Sequence, residues 1–119
     1  MVKFYGYSRW STVRKAKAWL NENKIDFEEI EIVKNPPSKE ELETMYKTGT
    51  YELKKFFNTS GVKYRELGLK DVVKTESDDK LLEILASDGM LIKRPIAFDG
   101  QNVLIGFKED EWKEKLLNK

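Results

Sequence analysis

Apolar and polar positions change period several times along this chain, and each change marks an element. Val2 to Tyr7 is apolar and aromatic except at Lys3 and Gly6, which predicts a buried first strand. From Ser11 the period lengthens. Val13, Ala16, Trp19 and Leu20 share one helical face while Arg14, Lys15 and Lys17 lie mostly off it. This predicts a helix capped by Ser11 or Thr12 and running to about Asn23. Ile25 to Val33 then alternates loosely, with Phe27, Ile30 and Ile32 inward, as a second strand. Strand, helix and strand over this length imply parallel pairing through a right-handed crossover.

Asn35-Pro36-Pro37 stops the strand, and Ser38 with Glu41 makes a capping box for a second helix. Leu42, Met45 and Tyr46 mark its buried side, and Gly49 ends it. Glu52 to Asn58, carrying Leu53, Phe56 and Phe57, and Tyr64 to Leu69 are predicted as short helices. Ser77 caps a further helix through Leu81, Leu82, Ile84 and Leu85, closing near Asp88-Gly89. Pro95 starts a strand over Ile96 to Phe98, Asp99-Gly100 signals a hairpin, and Val103 to Phe107 returns. Lys108 to Leu117 is a final helix with Trp112, Leu116 and Leu117 on its core side. The expected architecture is α/β, ordered βαβ–helices–ββα. It is a single domain over 1–119, with a helical insertion at about 38–88.

Composition narrows the chemistry. The chain has 22 Lys+Arg against 21 Asp+Glu, interleaved, so it lacks the basic excess of a dedicated nucleic-acid binder and no direct nucleic-acid binding is expected. It has no Cys and no His, which removes disulfides, thiolate nucleophiles, Cys/His metal sites and the commonest general base. No metal site and no cofactor are expected. No apolar run is long enough to span a bilayer and no signal segment is visible, so a cytoplasmic protein is expected; a monomer is also expected.

A βαβ…ββα order with a proline opening the third strand resembles a thioredoxin fold with a mixed four-stranded sheet. The residues narrow the resemblance. Segments 54–61 (KKFFNTSG), 64–71 (YRELGLKD) and 85–96 (LASDGMLIKRPI) are similar to the arsenate-reductase-like (ArsC) family, on the branch of the Spx and MgsR regulators. Segments 35–42 (NPPSKEEL) and 106–109 (GFKE) belong to the same pattern. One motif departs. After the first strand the family usually carries two cysteines in Tyr-Pro-Lys-Cys-Ser-Thr-Cys-Arg-Lys-Ala. Here residues 7–16 read YSRWSTVRKA, with Trp10 and Val13 at the cysteine positions and Ser11, Thr12, Arg14, Lys15 and Ala16 matching. The resemblance places the first cysteine at a helix N-terminus, where free amides and the helix dipole favour a thiolate. Indole offers only packing, stacking and one donor, and Val13 cannot resolve a mixed disulfide.

Several residues carry alternative readings. The start at Ser11, Thr12 and Arg14 could hold an anion on exposed amides, or Ser11 could simply cap the helix. The resemblance implies that Arg94-Pro95 is cis and faces the reactive loop, with Arg94 on an oxyanion. Arg94 could equally be a surface charge, and Pro95 would in any case keep this sheet edge from pairing. Trp10 reads as a partner anchor or as a filler of the space left by the thiols. Ser8, Ser11 or Ser60 as nucleophile would need Lys15 or Lys93 as base, and nothing in the sequence places one. Lys54-Lys55 reads as solvated helix surface.

Three functional readings follow. The first is a redox-inactive binding or regulatory module. The resemblance implies a protein partner such as the C-terminal domain of the RNA polymerase α subunit, because residues 49–53 (Gly49, Thr50, Tyr51, Glu52, Leu53) are similar to the Spx segment implicated there. The second is a family-level thiol oxidoreductase, arsenate-reductase-like, whose cysteines were lost or replaced in this chain. The third is a protein that binds a small anion or glutathione without covalent chemistry.

Overall fold

The apolar stretches near the two ends of the chain meet in one four-stranded mixed sheet. The computed structural model of the chain describes residues 2–7, 10–49 and 51–117. These fall into two compact units. One comprises the residues up to Glu31 and from Arg94 onward; the other is Ile32–Lys93.

In the first unit the strands β1 (Val2–Gly6), β2 (Phe27–Glu31), β3 (Ile96–Phe98) and β4 (Val103–Ile105) are ordered β2-β1-β3-β4. β1 runs parallel to β2, with Val2 opposite Phe27 and Tyr5 opposite Ile30. It runs antiparallel to β3, with Phe4 opposite Ala97, and β3 pairs antiparallel with β4. Parallel pairing of β1 and β2 requires a crossover, which α1 (Ser11–Glu22) supplies. Its predicted face, Val13, Ala16, Trp19 and Leu20, is buried. These four residues join Val2, Phe4, Ala97, Leu104 and Trp112 in a single core. Trp112 comes from α6 (Glu109–Leu116), whose aromatic ring meets those of Phe4, Trp19 and Phe107 edge to face.

Local departures from the expected elements have physical causes. Trp10, not Ser11 or Thr12, occupies the N-cap position of α1. Its carbonyl accepts from the Arg14 amide at 3.2 Å, and no side chain caps this end. Ser11 is therefore a helical residue. The second strand ends at Glu31, so the buried Ile32 lies beyond it, and Phe27 and Ile30 are half-buried. β3 is interior, so Pro95 does not guard a sheet edge; its carbonyl accepts from the Gly106 amide at 2.8 Å. β4 stops at Ile105, where Gly106 takes φ +72°, and Leu117 is 42% exposed rather than on the core side. The Asp99 carboxylate accepts from the amides of Gln101 and Asn102 and so builds the turn between β3 and β4.

The helical unit contains α2 (Lys39–Tyr46), α3 (Val62–Glu66), α4 (Leu69–Thr75) and α5 (Asp78–Ser87). Ser38 caps α2 by accepting from the Glu41 amide, and Ser77 caps α5 by accepting from the Lys80 amide. The predicted helix over Glu52 to Asn58 is a single 3-10 turn, Leu53–Phe56, because Phe57 leaves it to bridge Ile92. The predicted helix over Tyr64 to Leu69 is broken in two by Gly68, which takes φ +63°. Across α2 and α5, Lys39 Nζ lies 2.7 Å from Asp79, and the Tyr46 hydroxyl donates to Asp78 at 3.0 Å. No described helix is long and apolar enough to cross a membrane.

Two predictions follow from this packing. A Cβ on Gly89 would overlap the backbone carbonyl of Ile32, which has no flexible atom to yield. Gly89→Ala should therefore lower the unfolding free energy by about 2 kcal/mol or more in urea titrations, and an unchanged midpoint would refute the close approach. The second concerns alkaline pH. Burial, with the charge of Asp71 adding, holds the Tyr64 phenol above its ordinary value. A phenol raised on folding stabilises the fold below the unfolded pKa of about 10 and loses that contribution as pH climbs through the folded value. Urea midpoints should fall above about pH 10, and Tyr64→Phe should lessen the fall. Some of it should persist, because Tyr46, raised by its bond to Asp78, and Lys39, raised by its bond to Asp79, act in the same direction.

Candidate functional site

The site begins where β1 hands the chain to α1. Trp10 stands immediately before the helix, its amide donating to the Tyr7 carbonyl at 3.0 Å. Trp10 is 39% exposed, large for a tryptophan in a chain whose Trp19 and Trp112 are buried. Arg94 reaches the same place from the segment before β3. Its guanidinium carbon lies 4.0 Å from the centroid of the Trp10 ring and 6.0 Å from that of Tyr7. Arg94 is only 6% exposed, so it is not a surface charge. A guanidinium over an indole face is held by the ring quadrupole and by stacking, which suits arginine better than lysine. Pro95 follows it, buried, through a cis Arg94-Pro95 bond.

Val13, at the second cysteine position of the resembled motif, is buried. It packs against Gly6 so closely that a Cβ there would come within 2.6 Å of Val13 Cγ1. The two positions thus have different environments. Val13 belongs to the core, and Trp10 covers an arginine at the surface. Ser11, Thr12 and Arg14 are exposed on the first turn of α1, and among the described residues none of them is hydrogen-bonded to Arg94.

Gly49 and Glu52 lie in the helical unit and are exposed, with Gly49 at φ +77°. Thr50 and Ser8 fall outside the described residues. Ser60 is exposed, and its hydroxyl donates to the side-chain carbonyl of the buried Asn58 at 3.4 Å. Lys15 is exposed on α1, and among the described residues no hydrogen bond joins Lys15 or Lys93 to Ser11 or Ser60. The sequence reading missed Tyr7, which has no local signal because its part depends on Arg94, distant in the chain. It also treated Lys54 and Lys55 as isolated helix surface. They sit on the 3-10 turn and share a cleft with Lys93.

The pairing of Trp10 and Arg94 is measurable. A double-mutant cycle with Trp10→Ala and Arg94→Met should return a coupling of about 1 kcal/mol. Additive effects would mean that the stacking contributes nothing.

The comparisons with known proteins agree with this geometry. The ArsC family model matches residues 5–115. Protein YusI of Bacillus subtilis (strain 168), which is uncharacterized, is 56% identical over 95% of this chain and 96% of its own length. The global transcriptional regulator Spx of Streptococcus pyogenes serotype M3 is 31% identical over 93% of this chain and 81% of its own. The crystal structure of a possible arsenate reductase from Streptococcus mutans UA159 superposes with a TM-score of 0.87 at 43% identity, covering 95% of this chain and 98% of that one. With this sheet order, these helices and these relatives, the chain belongs to the ArsC family and has its thioredoxin-like α/β fold, without either motif cysteine.

Proposed function

We propose that this chain is a redox-inactive member of the ArsC family that works by binding a protein partner in a regulatory role. The observation that carries the reading is the pair of substitutions at the motif, Trp10 and Val13, in a sequence with no cysteine anywhere. Reduction of arsenate or of a disulfide by this motif needs a thiolate that attacks and is then regenerated by a second thiol. Neither indole nor an isopropyl group can form the mixed disulfide or give up the electron pair. Trp10 is instead held at the surface by Arg94, in the manner of an aromatic anchor whose ordering cost is already met.

Similarity to Spx, a transcriptional regulator, supports a partner in transcription. The C-terminal domain of the RNA polymerase α subunit is the candidate, with Gly49, Thr50 and Glu52 as candidate contacts in the helical unit and Trp10 as a separate candidate anchor in the other unit. Non-covalent binding of a small anion or glutathione is the second reading. It is favoured by the start of α1, whose amides no side chain caps, next to Ser11, Thr12 and Arg14. In that reading Arg94 and Pro95 complete the site.

Calorimetric titration of the full chain with the purified α C-terminal domain should give saturable binding that Trp10→Ala weakens at least about tenfold. No binding of that domain, together with saturable binding of glutathione or arsenate lost in Arg94→Met, would replace the first reading by the second. Arsenate should not be turned over above a no-protein control with either glutathione or thioredoxin as donor, and turnover would overturn both readings.

A further inference from the structure

The helical unit holds a cleft of about 240 Å3 lined by Glu52, Lys54, Lys55, Phe57, Thr59 and Lys93. We propose that this cleft binds the dianionic phosphate group of a small phosphorylated molecule. The lysines come from two segments far apart in sequence, and the backbone fixes one against the other. Phe57 bridges Ile92 in antiparallel fashion, the Asn58 amide donates to the Leu91 carbonyl at 2.8 Å, and the Lys93 amide donates to the Phe56 carbonyl at 2.8 Å. The buried Phe57 and Ile92 anchor this bridge, so the backbones that carry the three lysines are held side by side by the fold.

The charge in the cleft is unbalanced. Elsewhere in the unit, Lys39, Lys47, Lys63 and Lys80 each lie beside a carboxylate. Lys54, Lys55 and Lys93 form no ion pair among the described residues; Lys70 and Lys74 form none either, but only the former three share this concavity, with one glutamate. Like charges brought together repel, and a dianion would cancel the net charge of the lining where a carboxylate monoanion would leave half of it. Each ammonium presents three donors and acts as a point charge, which suits a tetrahedral phosphate that accepts from several directions. Thr59, exposed at the rim, adds a hydroxyl. The volume falls below the usual range of about 300–1,000 Å3 for drug-sized ligands, which favours a phosphate with a small body over a dinucleotide.

The test is a titration of the full chain with inorganic phosphate at fixed ionic strength and slightly alkaline pH, followed by backbone amide shifts. Saturable shifts are expected at Lys54, Lys55, Phe57, Thr59 and Lys93, with a Kd of about 1 mM or tighter. The variant K54Q/K55Q/K93Q should weaken binding at least about tenfold. K70Q/K74Q, which removes two exposed lysines of α4 outside this cleft, should leave it unchanged. If the triple variant does not fold, Lys93→Gln and Thr59→Ala should each weaken binding at the same amides. Absence of saturation, equal loss in K70Q/K74Q, or binding of succinate as tight as that of phosphate would overturn the proposal.

Discussion

The indole N–H of Trp112 needs an acceptor once the ring is buried, and the way that need is met organises the sheet-bearing unit. Trp112 sits 1% exposed among Phe4, Trp19 and Phe107, with ring centroids 6.2, 6.1 and 5.2 Å away. Its N–H donates to the Gly106 carbonyl at 2.9 Å. Gly106 can take the left-handed φ that this requires, and its own amide donates to the Pro95 carbonyl. Pro95 holds Arg94, whose guanidinium lies over Trp10. A continuous path therefore runs from the most buried aromatic in α6 to the exposed ring before α1. An unsatisfied indole donor would cost about 1–3 kcal/mol, so the core enforces this arrangement.

The same path leads to the two motif positions, which carry Trp10 and Val13 in this chain. The two motif positions never shared one environment. The residue at 13 faces Gly6 and needs a small apolar side chain, which valine supplies. The residue at 10 stands just before the helix, where its ring lies over the Arg94 guanidinium. Tryptophan there puts a rigid aromatic surface where the motif carries a thiol, and a chain without cysteine has no thiolate to offer.

The helical unit shows where local pattern and tertiary context part. Ser38 and Ser77 cap helices as their spacing indicates, because a cap is a contact within one turn. Leu53, Phe56 and Phe57 have a helix-like spacing, yet the turn closes after Phe56 because Phe57 pairs with Ile92 instead. No local signal announces a bridge between segments 35 positions apart. Gly68 divides a helix that periodicity alone would carry through, since only the backbone shows that the glycine is used at φ +63°.

The sequence by itself determined the order βαβ–helices–ββα, the buried face of α1, the two serine caps, the family and the absence of thiol chemistry. These depend on side-chain period, on contacts within a turn, or on which functional groups exist at all, and all three are local properties of the chain. Only the tertiary structure decided that Arg94 is buried against Trp10, that Pro95 abuts an interior strand, that Trp10 is the N-cap of α1, and that Lys93 joins Lys54 and Lys55. Most of these arise from pairings across long separations in sequence. Such pairings form because burying apolar surface and satisfying backbone donors outweigh the entropy of closing the loops between them, a balance struck by the whole fold and invisible in any one segment.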